Sequence, residues 1–276
     1  MPGLPFRLKH PSTLEVRGDV HLPAGADRVP AVVLCHGFKG FKDWGFFPFL
    51  AERLAEAGFA AIRMNFSLNG IGEDPLAFTE LDRFALNTLS QELKDLDLVL
   101  QAARQGGLPG AERLDRRRMA LFGHSRGGGI VLLRALEDTE VRAVVTWASV
   151  ASFWEGVDPE SWKREGFLEF LNTRTRQVMK VGYGAWEDYA ANRERFDLLK
   201  RLPVLRARAL FVHGRKDPSV PSTASERLAR WMGDRAVLQL LPGADHVFGA
   251  SMPFRGSTPE LDEAVRLTLD FLKTQV

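Results

Sequence analysis

The stretch Arg118-Met119-Ala120-Leu121-Phe122-Gly123-His124-Ser125-Arg126-Gly127-Gly128-Gly129-Ile130-Val131-Leu132-Leu133 constrains the fold of this chain more than any other. Its apolar start reads as a short buried strand and its end as the opening of a helix, with a sharp turn between them. A turn that tight puts its central residue, Ser125, in a strained backbone conformation, and glycines at 123 and 127 let the chain pass close on both sides. The same residues would also suit a glycine-capped strand end, so the remaining elements and polar groups must decide.

Those elements alternate. Leu14 to Leu22 interleaves apolar and polar residues, as an exposed antiparallel edge strand or hairpin does, and Pro23 and Gly25 end it. The run Ala31-Val32-Val33-Leu34-Cys35 has no alternation, which predicts a strand covered on both faces, as in parallel sheets. It leads into His36-Gly37-Phe38. A helix is expected from Phe49 to Ala57 and a strand from Phe59 to Phe66, completing a βαβ unit. Asn65 to Asp74 reads as a loop, and Phe84 to Ala103 as one helix with Leu86, Leu89, Leu93, Leu96 and Leu100 on its apolar face. Later strands are expected at 141–147, 209–213 and 237–241, and helices at 223–232 and 259–272. At 276 residues with 45% hydrophobic content, the chain has material for one α/β domain.

The connection between the strands at Val141–Trp147 and Ala209–His213 is several times the usual length. Residues 150–200 are therefore expected to form an inserted subdomain. Trp154, Trp162, Trp186, Tyr183 and Tyr189 fall within it.

Charge and composition narrow the function. A net charge of +2 gives no field for nucleic acid, and Arg116-Arg117-Arg118, just before a buried strand, reads as a solvated loop. The lone Cys35 lies in an apolar run, as a small core residue, and allows no intramolecular disulfide. Neither a basic, apolar leader nor a membrane-length apolar segment is present, so a cytoplasmic protein without membrane attachment is expected. The histidines lack His-Glu-x-x-His spacing, and no phosphate-binding glycine motif opens the first βα unit; neither a metal nor a cofactor is expected.

A serine hydroxyl needs an imidazole to take its proton and a carboxylate to orient that imidazole. His246, in the loop Pro242-Gly243-Ala244-Asp245-His246-Val247-Phe248 after the last strand, can reach over the sheet's carboxyl edge. Asp217, in His213-Gly214-Arg215-Lys216-Asp217-Pro218, follows the preceding strand in a turn fixed by proline. Asp245 adjoins His246 and is badly placed to meet its ring; Glu155 and Asp158 are the reserve acids.

In the order Ser125, Asp217, His246 the chain resembles the α/β-hydrolase family from about residue 12 to its end. His36-Gly37-Phe38 together with Gly123-His124-Ser125-Arg126-Gly127-Gly128 is similar to dienelactone hydrolase-like and cinnamoyl (feruloyl) esterase-like carboxylesterases. The resemblance implies a mostly parallel sheet of about eight strands, helices on both faces, and a lid inserted between strands 6 and 7. It also implies an oxyanion hole made by the backbone N–H groups of Phe38 and Arg126. The attack calls on nothing from the Arg126 side chain.

Two departures stand out. Arg126 occupies a position where cinnamoyl esterase-like proteins often have glutamine, and the loop from Asn65 to Gly72 lacks their acidic-Arg-Gly pattern. The expected activity is hydrolysis of a small or aromatic-acyl carboxylic ester, with Trp154 and Trp186 of the insert contacting the substrate. The alternatives are an aminoacyl or acyl-peptide amidase on the same triad and a non-catalytic binding module. A small-molecule ester is the expected partner; a homodimer stays open.

Overall fold

A computed structural model of the chain describes residues 3–25, 27–172 and 175–276. Its strands and helices follow in the order β1 (Leu4–Lys9), β2 (Glu15–His21), β3 (Val29–Cys35), α1 (Phe47–Glu56), β4 (Ala60–Asn65), α2 (Leu81–Ala85), α3 (Leu89–Gln105), β5 (Leu114–His124), α4 (Arg126–Glu137) and β6 (Val141–Trp147). The chain continues through α5 (Pro159–Glu165), β7 (Phe167–Asn172), β8 (Gln177–Gly182), α6 (Gly184–Ala191), α7 (Arg193–Phe196), α8 (Leu198–Arg201), β9 (Arg208–Gly214), α9 (Thr223–Met232), β10 (Ala236–Leu241) and α10 (Pro259–Gln275).

Eight strands form one sheet in the order β1-β2-β4-β3-β5-β6-β9-β10. From β4 to β10 all neighbours are parallel, while β2 is antiparallel to both β1 and β4. This is the expected mostly parallel arrangement. The continuous apolar runs follow from it, because alternate residues enter different cores. Val33 and Cys35 of β3 pack with α3, α4 and α9, whereas Val32 and Leu34 pack with α1 and α10 on the other face.

Two local expectations need correction. The segment from Leu4 to Lys9 is a strand that the pattern did not reveal, because only Phe6 in it is buried. The helix expected from Phe84 to Ala103 is broken into α2 and α3. Thr88 turns its hydroxyl to the N–H of Gln91 (3.1 Å) and caps a new helix, and Leu86 in the break is exposed rather than on the apolar face.

Between β6 and β9 the chain leaves the main sheet. Asp158 caps α5, Gly166 ends it in the left-handed region, and β7 and β8 pair as an antiparallel hairpin. Fully buried Trp162 sits at the centre of a third core with Phe41, Phe78, Phe84, Met179 and Val181, and donates from Nε1 to the carbonyl of Val181 at 3.1 Å. Residues 173 and 174 of this stretch lie outside the described residues. Among the described residues, no helix is long and apolar enough to cross a membrane.

Candidate active site

The elbow is built by close approach. Ser125 has φ 55° and ψ −123°, between the end of β5 and the start of α4. A Cβ at Gly123 would collide with the carbonyl of Gly127, and one at Gly127 with the carbonyl of His36, so neither position has room for a side chain. Ser125 donates its N–H to the carbonyl of Trp147 (2.9 Å) and accepts from the N–H of Gly128 (3.0 Å). Gly37 brings the loop after β3 against the serine; a Cβ there would lie 2.9 Å from Ser125 Cβ. Buried His36 steadies that loop by donating from Nδ1 to the carbonyl of Gly37 (2.9 Å) and accepting at Nε2 from the N–H of Phe66 (3.3 Å). Burial holds its pKa down at about 4, so the ring is neutral.

Asp217 and His246 meet at the same edge. The Asp217 carboxylate, with its side chain fully buried, accepts at Oδ2 from His246 Nδ1 at 2.7 Å and from His213 Nε2 at 3.1 Å. At Oδ1 it accepts the backbone N–H groups of Ser219 (2.8 Å) and Val220 (2.9 Å). Burial alone would raise its pKa, but the hydrogen bonds from His213 and His246 outweigh that and hold it well below the usual carboxylate range. His213 Nε2 faces two acceptors, Asp217 and the carbonyl of Val220 (2.9 Å), and therefore carries the proton; its Nδ1 accepts from the hydroxyl of Ser225 at 2.7 Å. The sequence reading passed over His213, although its place four residues before Asp217 was a usable signal.

With Nδ1 committed to Asp217, His246 Nε2 has no hydrogen-bond partner among the described residues. Its carbonyl accepts from His124 Nε2 at 2.9 Å. Burial, and repulsion from His246, push the His124 pKa down to about 3, so His124 acts as a neutral donor holding the loop. Ser125 and His246 line one cavity together, while among the described residues Ser125 Oγ makes no hydrogen bond. Such bonds often tighten only when substrate is bound.

The other carboxylates are occupied locally. Asp245 accepts from Val247 and Gly249 of its own loop, Glu155 pairs with Ser152 and Arg227, and Asp158 caps α5. Among the described residues no group of three or more His, Cys, Asp or Glu side chains is placed to hold a metal ion.

Ser125 and Phe38 each line two cavities. One, of about 600 Å³, is walled also by Arg126, Trp154, Phe170 and Val220; the other, of about 420 Å³, by Trp44, His246 and Met252. Arg126 opens α4, where the first N–H groups lack intrahelical acceptors. Its side chain, unassigned by the sequence reading, is buried among the rings of the larger cavity. Trp154 reaches that cavity, but Trp186 lines neither. Half-buried Trp186 packs against Trp162 and Tyr189 at 6.3 and 5.4 Å between ring centroids, on the flank of the third core. Nothing in the sequence distinguished the two tryptophans.

Backbone strain gathers here too. Lys39, Ser125, Ala148, Trp154 and Phe248, all in loops at the carboxyl edge, have φ between 50° and 57°, where side chains other than glycine are costly.

The model of the alpha/beta hydrolase family matches residues 32–257. An uncharacterized 31.7 kDa protein of the traX-finO intergenic region of Escherichia coli is 30% identical over 164 residues, which cover 58% of this chain and 52% of that protein. The match thus spans about half the length of that relative. Among solved structures, Est1E from Butyrivibrio proteoclasticus with ferulic acid bound superposes with a TM-score of 0.76 at 19% identity, over 98% of each chain. The alpha/beta hydrolase GrgF from Penicillium sp. sh18 superposes with a TM-score of 0.74 at 18% identity, over 100% of this chain and 99% of that one. At these identities the superpositions show a shared fold.

Proposed function

Because the chain belongs to the alpha/beta hydrolase family, we propose that it is a serine esterase with Ser125 as nucleophile, His246 as general base and Asp217 as the group that orients it. The observation that carries this reading is the 2.7 Å hydrogen bond from His246 Nδ1 to Asp217, which leaves Nε2 for the cavity that Ser125 also lines. His246 takes the hydroxyl proton as Ser125 Oγ attacks the ester carbonyl. The N–H groups of Phe38 and Arg126 receive the negative charge on the carbonyl oxygen, each contributing about 3 kcal/mol in a dry site. His246 then hands its proton to the departing alcohol, and water repeats the attack on the acyl-enzyme.

Proton transfer also assigns the cavities. The alcohol oxygen must lie within reach of His246, so the alcohol occupies the cavity walled by His246, Trp44 and Met252. The acyl chain is left the larger one, under the inserted segment, which acts as its lid. A neighbour with ferulic acid bound supports an ester as substrate.

Labelling with a fluorophosphonate tests the reading. The reagent is expected to modify wild-type protein at Ser125 and to leave Ser125→Ala untouched; folded wild-type protein that takes no label overturns it. Rates on aryl esters and on aminoacyl anilides then separate esterase from amidase, with faster anilide turnover favouring the latter.

A further inference from the structure

We propose that the side chains of Arg126 and Trp154 select an acyl group that ends in a carboxylate, making the enzyme a hydrolase of half-esters of dicarboxylic acids; this rests on the esterase reading and on the assignment of the larger cavity to the acyl chain. Two residues that line that cavity each carry a buried donor without an acceptor. Among the described residues, Arg126 Nη2 and Trp154 Nε1 are buried without a hydrogen-bond partner. Leaving a buried donor unpaired costs roughly 1–3 kcal/mol, more when it is charged. Two at neighbouring side chains are therefore a cost, and an acceptor in the cavity that turned these side chains toward it would remove that cost.

The placement fits a ligand group rather than a surface ion. The Arg126 side chain is only 9% exposed. Its guanidinium carbon lies 5.0 Å from the centroid of Trp154 and 5.6 Å from that of Phe38, and all three residues line the cavity beside Ser125. Stacking between two rings fixes the plane of the guanidinium, which is the preorganisation that carboxylate recognition needs. From behind, Nε is held by Glu92 Oε2 at 3.1 Å, and Glu92 is itself held by Asn87 Nδ2 at 2.7 Å. Glu92 thus takes one edge of the guanidinium and leaves the rest of the fork free.

Charge favours an anion over a neutral acceptor. The charged residues that line the cavity are Arg126, Arg227 and Glu155. Arg227 and Glu155 sit 3.7 Å apart at the exposed rim and offset each other, and Glu92 lies behind Arg126 rather than in the lining, so the guanidinium is the charged group that the deeper wall presents.

The test compares kcat/KM for aryl esters of equal chain length: hexanoyl, 5-oxohexanoyl and the half-ester of adipic acid. Wild-type enzyme is expected to favour the half-ester over the hexanoyl ester by roughly tenfold or more. Arg126→Gln, which keeps the backbone N–H of the elbow, is expected to remove that preference through a higher KM for the half-ester. Trp154→Phe, which keeps a ring against the guanidinium and deletes one donor, is expected to reduce it by about threefold or more. The proposal is overturned if wild-type enzyme shows no preference, if it favours the 5-oxohexanoyl ester equally, or if both variants slow all three esters in proportion. If no ester is cleaved, fluorophosphonate labelling tells the cases apart: an unlabelled Ser125 sinks the esterase reading itself, and a labelled one sinks only the acyl assignment.

Discussion

The carboxyl edge of the sheet and the segment inserted above it are held by different forces. At the edge, four donors converge on the Asp217 carboxylate, and His213, His124 and His36 each make directional bonds with both neighbours and loops. In the insert, Trp162 is surrounded by Trp154, Tyr183 and Trp186, and its Nε1 ties it to the carbonyl of Val181. Hydrogen bonds fix atoms to a fraction of an ångström, which proton transfer requires. Packed rings fix volume and tolerate sliding, which suits a surface that has to fit a substrate. The edge should therefore respond to changes of single atoms and the insert to changes of volume.

The largest expected contrast comes from the edge. Ser125→Ala is expected to lower kcat by roughly 10⁴- to 10⁶-fold, measured in the steady state on an aryl ester. Asp217→Asn, nearly isosteric, is expected to cost about 10⁴-fold with its fold intact by circular dichroism. Glu155→Gln at the cavity rim should cost far less; the reverse ranking would move the orienting acid into the insert and break the comparison. In the insert, Trp162→Ala should cost about 3–5 kcal/mol of stability in urea unfolding, from the cavity it leaves. Trp186→Ala, only half-buried, should cost about 1–2 kcal/mol without altering acyl preference. A change in acyl preference at Trp186 would return that ring to the substrate.

Acid should weaken the edge before the insert. Unfolded histidine titrates near about 6.5, whereas His36 and His124 are held down at about 4 and about 3 in the folded chain, mainly by burial. Between these limits the unfolded chain takes up protons that the folded one refuses, so stability falls as pH drops through that window, by a few kcal/mol in order of magnitude. Asp217, depressed in the folded state, adds its own loss only below about pH 4, where the unfolded carboxylate protonates. Urea midpoints at neutral pH and near pH 5 check the histidine part. His124→Gln should flatten the dependence, and a midpoint that ignores pH would refute it.

Much of the fold was legible because each buried strand feeds two cores. Val32 and Val33 point to opposite faces, and only a sheet covered on both sides accepts such a run. Ser125, Asp217 and His246 could be nominated since each follows a strand closely, and the structure brings Asp217 and His246 into contact. What stayed hidden depended on distant partners. One buried phenylalanine did not betray β1, and Leu86 kept the helical spacing although Thr88 had already begun a new helix. The Arg126 side chain acquires its surroundings from Glu92, Phe38 and Trp154, on three other segments. Spacing along the chain records none of these meetings.

The left-handed backbone at Ser125 also bears on how such a chain could drift. A side chain there costs of order 1–3 kcal/mol that glycine would not incur. If the hydroxyl were no longer needed, Ser125→Gly would tighten the fold while emptying the site. With Ser125 as the proposed nucleophile, loss of activity would then be the downhill direction for stability.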